Sequence, residues 1–106
     1  MKKICVVTTG RWDIGHLTPV MKKITKSSTF ELLVLAPANH DSIPKEFKPT
    51  KTSVSVNGIE DYGRFYTDCL VYFKKDKPDL IMVLGDRFEI HAAATAAVLL
   101  NIPVAH

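Results

Sequence analysis

The chain has 106 residues, enough for one domain, with 46% hydrophobic residues, 24% charged residues and a net charge of +3. Its lysines are dispersed over 22–26, 45–51 and 74–77, and no aromatic-plus-basic RNA motif is present, so the basic excess reads as a solvated face rather than a nucleic-acid patch. No apolar run approaches the roughly 20 residues of a membrane span, and the first one stops at Val7, too short for a signal peptide; a cytoplasmic protein without membrane contact is the expectation.

Lys3 to Thr8 is a short apolar strand that opens into Thr9-Gly10-Arg11-Trp12-Asp13-Ile14-Gly15. A helix is expected to begin near His16 or Thr18, with Pro19 in its first turn, where a missing N–H is harmless. Leu17, Val20, Met21 and Ile24 then form one apolar stripe, and Lys22, Lys23 and Lys26 favour the C-terminal dipole. Phe30 to Leu35 is a second strand, ended by Pro37 and the cluster Ala38-Asn39-His40-Asp41. Residues 36–58, punctuated by Pro37, Pro44, Pro49 and Gly58, read as a long loop with a short strand at Thr52–Val56, where Val alternates with Ser. Such a long irregular segment is either functional, folding over a ligand, or a surface flap.

Ile59 to Lys75 is the clearest helix, with Ile59, Tyr62, Phe65 or Tyr66, Cys69 and Tyr72 or Phe73 recurring as a core stripe. Pro78 forbids its continuation. The run Leu80 to Leu84 has no polar residue, as expected of a parallel strand covered on both faces. Phe88 to Leu100 is an Ala-rich helix able to approach a sheet closely, Asn101 can end it, and Ile102 to Ala105 begins another strand. This alternation predicts an α/β fold, a Rossmann-like parallel sheet with flanking helices. The chain stops just after a core strand, so an incomplete domain of a longer protein is expected.

Two strand ends carry the same chemical kit. Val83-Leu84 runs into Gly85-Asp86-Arg87-Phe88-Glu89, and Val7-Thr8 runs into Thr9-Gly10-Arg11-Trp12-Asp13. In open α/β sheets chemistry sits just beyond the carboxyl ends of strands. Gly85 allows a tight turn, Asp86 can exchange a proton, and Arg11 and Arg87 can fork onto a phosphate or carboxylate. A plainer reading makes Asp86 a helix cap, Asp13 a helix N-terminal acid and the arginines solvated charges. Neither loop matches G-x-G-x-x-G or a Walker motif. What remains is a sheet that binds an anion through arginines and helix N-termini. His16, His40, His91 and His106 fall at no metal-binding spacing and read as caps or surface residues. Cys5 and Cys69 read as two small buried hydrophobes.

The segment Lys3 to Gly15, followed by Leu17, Pro19, Val20 and Met21, resembles the N-terminus of UDP-N-acetylglucosamine 2-epimerases, which show an apolar strand, then Thr-Gly-Thr-Arg-Ala-Asp-Tyr-Gly and a Leu-x-Pro helix start. Pro78 to Ile90, and on to Ile102-Pro103-Val104-Ala105-His106, is closer still, and its Gly-Asp-Arg-Phe-Glu points to the hydrolysing branch, which forms N-acetylmannosamine for sialic-acid-type sugars. Ala38-Asn39-His40 is similar to the family's Gly-x-His loop. Three departures stand out: Thr9 and Gly10 in reversed order, Trp12 for a small residue, and Ile14 for Tyr.

The resemblance implies that residues 1–106 are most of the N-terminal domain of a two-domain, glycosyltransferase-B-like fold, with a UDP-sugar in the interdomain cleft. It implies Asp86 and Asp13 as the catalytic carboxylates at the sugar, Asp86 in acid/base chemistry and Asp13 beside the sugar, and Arg11, Gly15, Arg87 and His40 as substrate-binding residues. The implied chemistry removes the proton at sugar C2, expels UDP to leave a glycal, and adds water with inversion at C2. No metal or cofactor is implied. A homodimer or higher homo-oligomer is implied for the full-length protein, and an inactive fragment for these residues alone. Two other readings stay open: a nucleotide-sugar transferase of the same architecture, and a non-catalytic flavodoxin-like binding module.

Overall fold

In a computed structural model that describes all residues from Met1 to His106, the apolar runs form one five-stranded sheet. The elements in chain order are β1 (Lys2–Val7), α1 (Arg11–Lys26), β2 (Phe30–Ala36), a 3₁₀ turn (Lys45–Phe47), β3 (Thr50–Lys51), a second 3₁₀ turn (Ile59–Asp61), α2 (Tyr62–Asp76), β4 (Leu80–Met82), α3 (Phe88–Leu99) and β5 (Val104–Ala105). Every pairing is parallel and the spatial order is β3-β2-β1-β4-β5. β1 is central, with Ile4 opposite Leu32 on one side and Leu80 on the other. The Rossmann-like α/β expectation is met.

Alternation along β1 and β2 divides the core in two. Ile4, Val6, Val34 and Ala36 face α1, whose Ile14, Leu17, Met21 and Ile24 meet them, with Ile43 and Phe47 of the long loop closing that side. Cys5, Val7, Leu35, Ile81 and Val83 face α2 and α3. There Phe65, Cys69 and Phe73 interlock with Ala92, Ala93, Ala96 and Ala97, small enough to let the two helices and the sheet close up. Burial pushes both cysteine thiols far above their ordinary range, so Cys5 and Cys69 behave as apolar core residues.

Three expectations need correction. The first helix begins at Arg11, not near His16, and Pro19 lies inside it. The interior proline is tolerated because Gly15, at the i−4 position, and Pro19 both lie on the exposed flank, where the unused Gly15 carbonyl meets water. The short strand sits at Thr50–Lys51 rather than Thr52–Val56. Beyond Lys51 two backbone bonds still tie the segment to the end of β2 and the residues after it, Thr52 N–H to the Ala36 carbonyl at 2.8 Å and Ala38 N–H to the Val54 carbonyl at 3.1 Å. The Asn39 side chain then holds Val56, accepting from its N–H at 3.0 Å and donating to its carbonyl at 2.9 Å. The second long helix starts at Tyr62, and Ile59 is 64% exposed rather than part of the stripe. At the far end Asn101 adopts a left-handed conformation (φ 60°) and stops α3, with Ile102 N–H closing onto the Ala97 carbonyl at 2.9 Å.

Phe65 is fully buried between the sheet and α3, so Phe65→Ala should cost about 3–5 kcal/mol. Ile59→Ala, on the exposed turn, should stay within about 0.5 kcal/mol. Urea midpoints at constant m-value measure both.

Candidate functional site

The strand order reverses direction at β1 and β4, which places the loops after those two strands side by side at the carboxyl edge of the sheet. The two similar strand-end motifs therefore share one location. Their contact is direct: the Arg87 guanidinium carbon lies 4.0 Å from the centre of the Trp12 ring.

The β1–α1 loop is built around Asp13. Its carboxylate is 4% exposed and sits in the first turn of α1, where the helix dipole favours a negative charge. Thr8 Oγ1 donates to Oδ1 at 2.5 Å. Thr9 donates twice to Oδ2, from its backbone N–H at 2.9 Å and its hydroxyl at 2.7 Å. Each threonine hydroxyl has spent its proton on Asp13 and is left with acceptor capacity. Trp12 Nε1–H donates to Thr9 Oγ1 at 2.7 Å, and His40 Nε2 lies 2.9 Å from Thr8 Oγ1. That bond requires the proton on His40 Nε2, which leaves Nδ1 to accept from the Ser42 N–H at 3.4 Å. His40 is thus buried, neutral and engaged through both ring nitrogens. Burial lowers its pKa below the usual value, outweighing the opposite pull of Asp13.

The β4–α3 loop turns at Gly85, whose φ of 88° lies in the left-handed region that favours glycine. The Gly85 carbonyl accepts from His106 Nε2 at 2.7 Å. Asp86 follows, exposed and without an internal partner. Arg87 forms the N-cap of α3, and its Nε faces Glu89 Oε1 at 3.4 Å. Glu89 is almost wholly buried, and that oxygen makes no hydrogen bond. Arg87 is accordingly held between an indole face and a buried carboxylate.

Two hollows open on this edge and meet at Trp12. One, of about 420 Å³, is lined by Arg11, Asn39, His40, Asp41 and Ser42 among others. The other, of about 550 Å³, is lined by Asp13, His16, Leu84, Gly85, Asp86 and Arg87. Arg11 and Asp86 enter no ion pair within the chain. Gly15 is exposed, and a Cβ there would meet nothing within 4 Å, so the fold itself does not require glycine at that position. No group of three or more His, Cys, Asp or Glu side chains is arranged to hold a metal.

The model of the family described as UDP-N-acetylglucosamine 2-epimerase matches residues 7–106. The chain belongs to that family. Among curated relatives, a hydrolysing UDP-N,N'-diacetylbacillosamine 2-epimerase from Legionella pneumophila is 29% identical, aligned to 100% of this chain and 33% of the relative. A hydrolysing GDP/UDP-N,N'-diacetylbacillosamine 2-epimerase from Campylobacter jejuni is 26% identical over 99% of this chain and 32% of its own length. The chain thus spans about a third of the curated relatives it matches. Among solved structures, the UDP complex of MnaA from S. aureus superposes with a TM-score of 0.82 at 25% identity, over 98% of this chain and 28% of that one. The Rossmann-like sheet of this epimerase-family chain is of the glycosyltransferase-B-like kind.

The structure gathers Arg11, Asp13, His40, Asp86 and Arg87 along one strand edge, with Gly15 one turn further along α1. Thr8, Thr9 and Glu89 were not singled out by sequence. An acid at the third position of a helix, reaching back to an upstream N–H, is a known capping pattern and could have flagged Thr9. Nothing in the sequence signals that Glu89 is buried.

Because folding favours neutral His40, the unfolded chain binds the extra proton as pH falls through the unperturbed value of 6.5. Stability is therefore full above that pH and lost below it, by up to about 1.4 kcal/mol per pH unit from this group. Urea midpoints between pH 7.5 and 5 should show the loss, and His40→Asn should remove that part of the slope.

Proposed function

We propose that this chain is the N-terminal part of a cytoplasmic, hydrolysing UDP-sugar 2-epimerase that converts UDP-N-acetylglucosamine or a related UDP-sugar and water to UDP and an N-acetylmannosamine-type sugar, for sialic-acid-like sugar biosynthesis. Family membership supports the reaction class, and the hydrolysing relatives support the branch. One structural observation carries the site: the Trp12–Arg87 stack brings two loops bearing guanidinium and carboxylate groups to one cleft at the switch point of the sheet.

In this reading the C2 proton leaves to a base, the C1–oxygen bond to the diphosphate breaks with its electron pair on UDP, and a C1–C2 double bond forms. Water then adds oxygen at C1 and a proton at C2 from the opposite face. Asp86, uncommitted and exposed in the cleft, is the proton-transfer group at the sugar. Arg11 and Arg87 offset the charge that grows on the departing diphosphate. Asp13, whose oxygens already accept from Thr8 and Thr9, acts as a positioning residue, and His40 shapes the wall. Gly15 leaves open space beside the ligand. A second domain completes the site, and the full-length protein works as a homodimer or higher homo-oligomer with no cofactor.

The test follows UDP release together with N-acetylmannosamine formation by the full-length protein. Asp86→Asn should lower kcat by at least about 100-fold. Residues 1–106 alone should show no turnover. UDP release that appears only after an acceptor sugar is added would identify a glycosyltransferase instead. Ligand binding without any turnover would identify a binding module.

A further inference from the structure

The two halves of the cleft differ in chemistry, and one side chain walls both. On the Arg11 side the exposed surface is mainly polar, whereas on the Asp86 side it is mainly carbon, and the apolar side chains lining that side are Trp12 and Leu84, the latter 37% exposed. Trp12 itself is 53% exposed. A free indole at that exposure would sample several rotamers, but three contacts fix this one. Its Nε1–H donates to Thr9 Oγ1 at 2.7 Å, a hydroxyl already locked onto Asp13. Arg87 covers one face at 4.0 Å. The ring also lies over Gly10, where a Cβ would come within 2.3 Å of ring carbon Cζ2. Gly10 has extended backbone (φ 174°), so the demand there is for space beside the indole and not for an unusual conformation. Trp12 is a rigid wall.

We propose that Trp12 is a specificity-determining residue: with Leu84 it forms an apolar wall in the Asp86 half of the cleft and selects UDP-sugars bearing methyl-containing substituents over more fully hydroxylated ones. The inference rests on the reading of that half as the sugar side. A sugar hydroxyl pressed against the indole gives up water and gains no partner, whereas a 6-deoxy methyl or the methyl of a second acetamido group buries carbon against carbon. The Arg87 stack adds to the effect by keeping the ring in place while the guanidinium edge stays available for an anion.

The deciding experiment compares kcat/KM of the full-length protein for UDP-N-acetylglucosamine and UDP-N,N'-diacetylbacillosamine, the second being a 6-deoxy sugar with an extra acetamido group. The wild type should favour the diacetylated sugar by about tenfold or more. Trp12→Ala should bring the ratio close to one, and Trp12→Phe, which keeps the apolar face, should preserve most of it. Gly10→Ala, which displaces the indole without removing it, should behave like Trp12→Ala. A ratio untouched by Trp12→Ala, or a wild-type preference for the hydroxylated sugar, overturns the proposal. If the wild type consumes neither sugar, the epimerase reading fails. Calorimetric affinities of the same two sugars for the same variants then decide the role of Trp12 by the same ratio.

Discussion

A single buried carboxylate organises the working edge of this molecule. Removing a carboxylate from water costs several kcal/mol unless its lone pairs are met. Asp13 meets that demand with two threonine hydroxyls, one backbone N–H and the N-terminal end of α1. The arrangement does more than satisfy one charge. Because each hydroxyl points its proton at Asp13, each can only accept from the next group along. One chain runs from the Ser42 N–H through His40 and Thr8, and the other from Trp12 through Thr9. The loop after β2 and the loop after β4 are thereby tied to the end of β1, the second through the Arg87 stack.

The sheet decides where that edge falls. β1 pairs with β2 on one side and β4 on the other, so the loops after β1 and β4 diverge to opposite faces and leave a crevice between them. α1 covers one face while α2 and α3 cover the other, each against alternate residues of the same strands. β4 leaves its ladder early: its last paired residue is Met82, and Val83 keeps only a bond to the Ala105 carbonyl before Leu84 and Gly85 turn into the crevice. The residues that turn away from the sheet are those that line the cleft.

Much of this was legible because the signals are local. The alanines of α3 and the breaker Asn101 specify their element by composition alone, and the polar-free run Leu80–Leu84 marks β4, although the strand stops at Met82 and Leu84 turns out to an exposed position. The strand-end position of Arg11, Asp86 and Arg87 was enough to mark them as candidates. The start of α1 was not legible, since Pro19 looks like a first-turn residue unless the exposure of Gly15 four positions earlier is known. The segment after Lys51 imitates a longer strand because valines alternate with serines, whereas it keeps only single backbone bonds to Ala36 and Ala38 and is then held at Val56 by the Asn39 side chain, distant in sequence. Thr8 and Thr9 are ordinary strand-end residues by composition, and their importance arises only when Asp13 folds back onto them. Glu89 resembles any first-turn acid until the sheet buries it.

The charged groups on this edge fall into two kinds, and the division follows from what each must do. Asp13, Arg87 and Glu89 are held by internal contacts, so their positions are set before any ligand arrives. Arg11 and Asp86 pair with nothing in the chain, so their full interaction with an incoming anion or a mobile proton remains available. A group already neutralised inside the fold would have to break that contact first, and a group wholly unsupported would have to be ordered on binding. Arg87 combines the two conditions: Trp12 constrains it through a weak, non-directional stack, and Glu89 through a pair 3.4 Å apart that makes no hydrogen bond. Its position is fixed while most of its donors stay free. The bulky residue at position 12 is therefore the means by which this chain sets the position of its second arginine, and a small residue there would leave Arg87 with Glu89 alone.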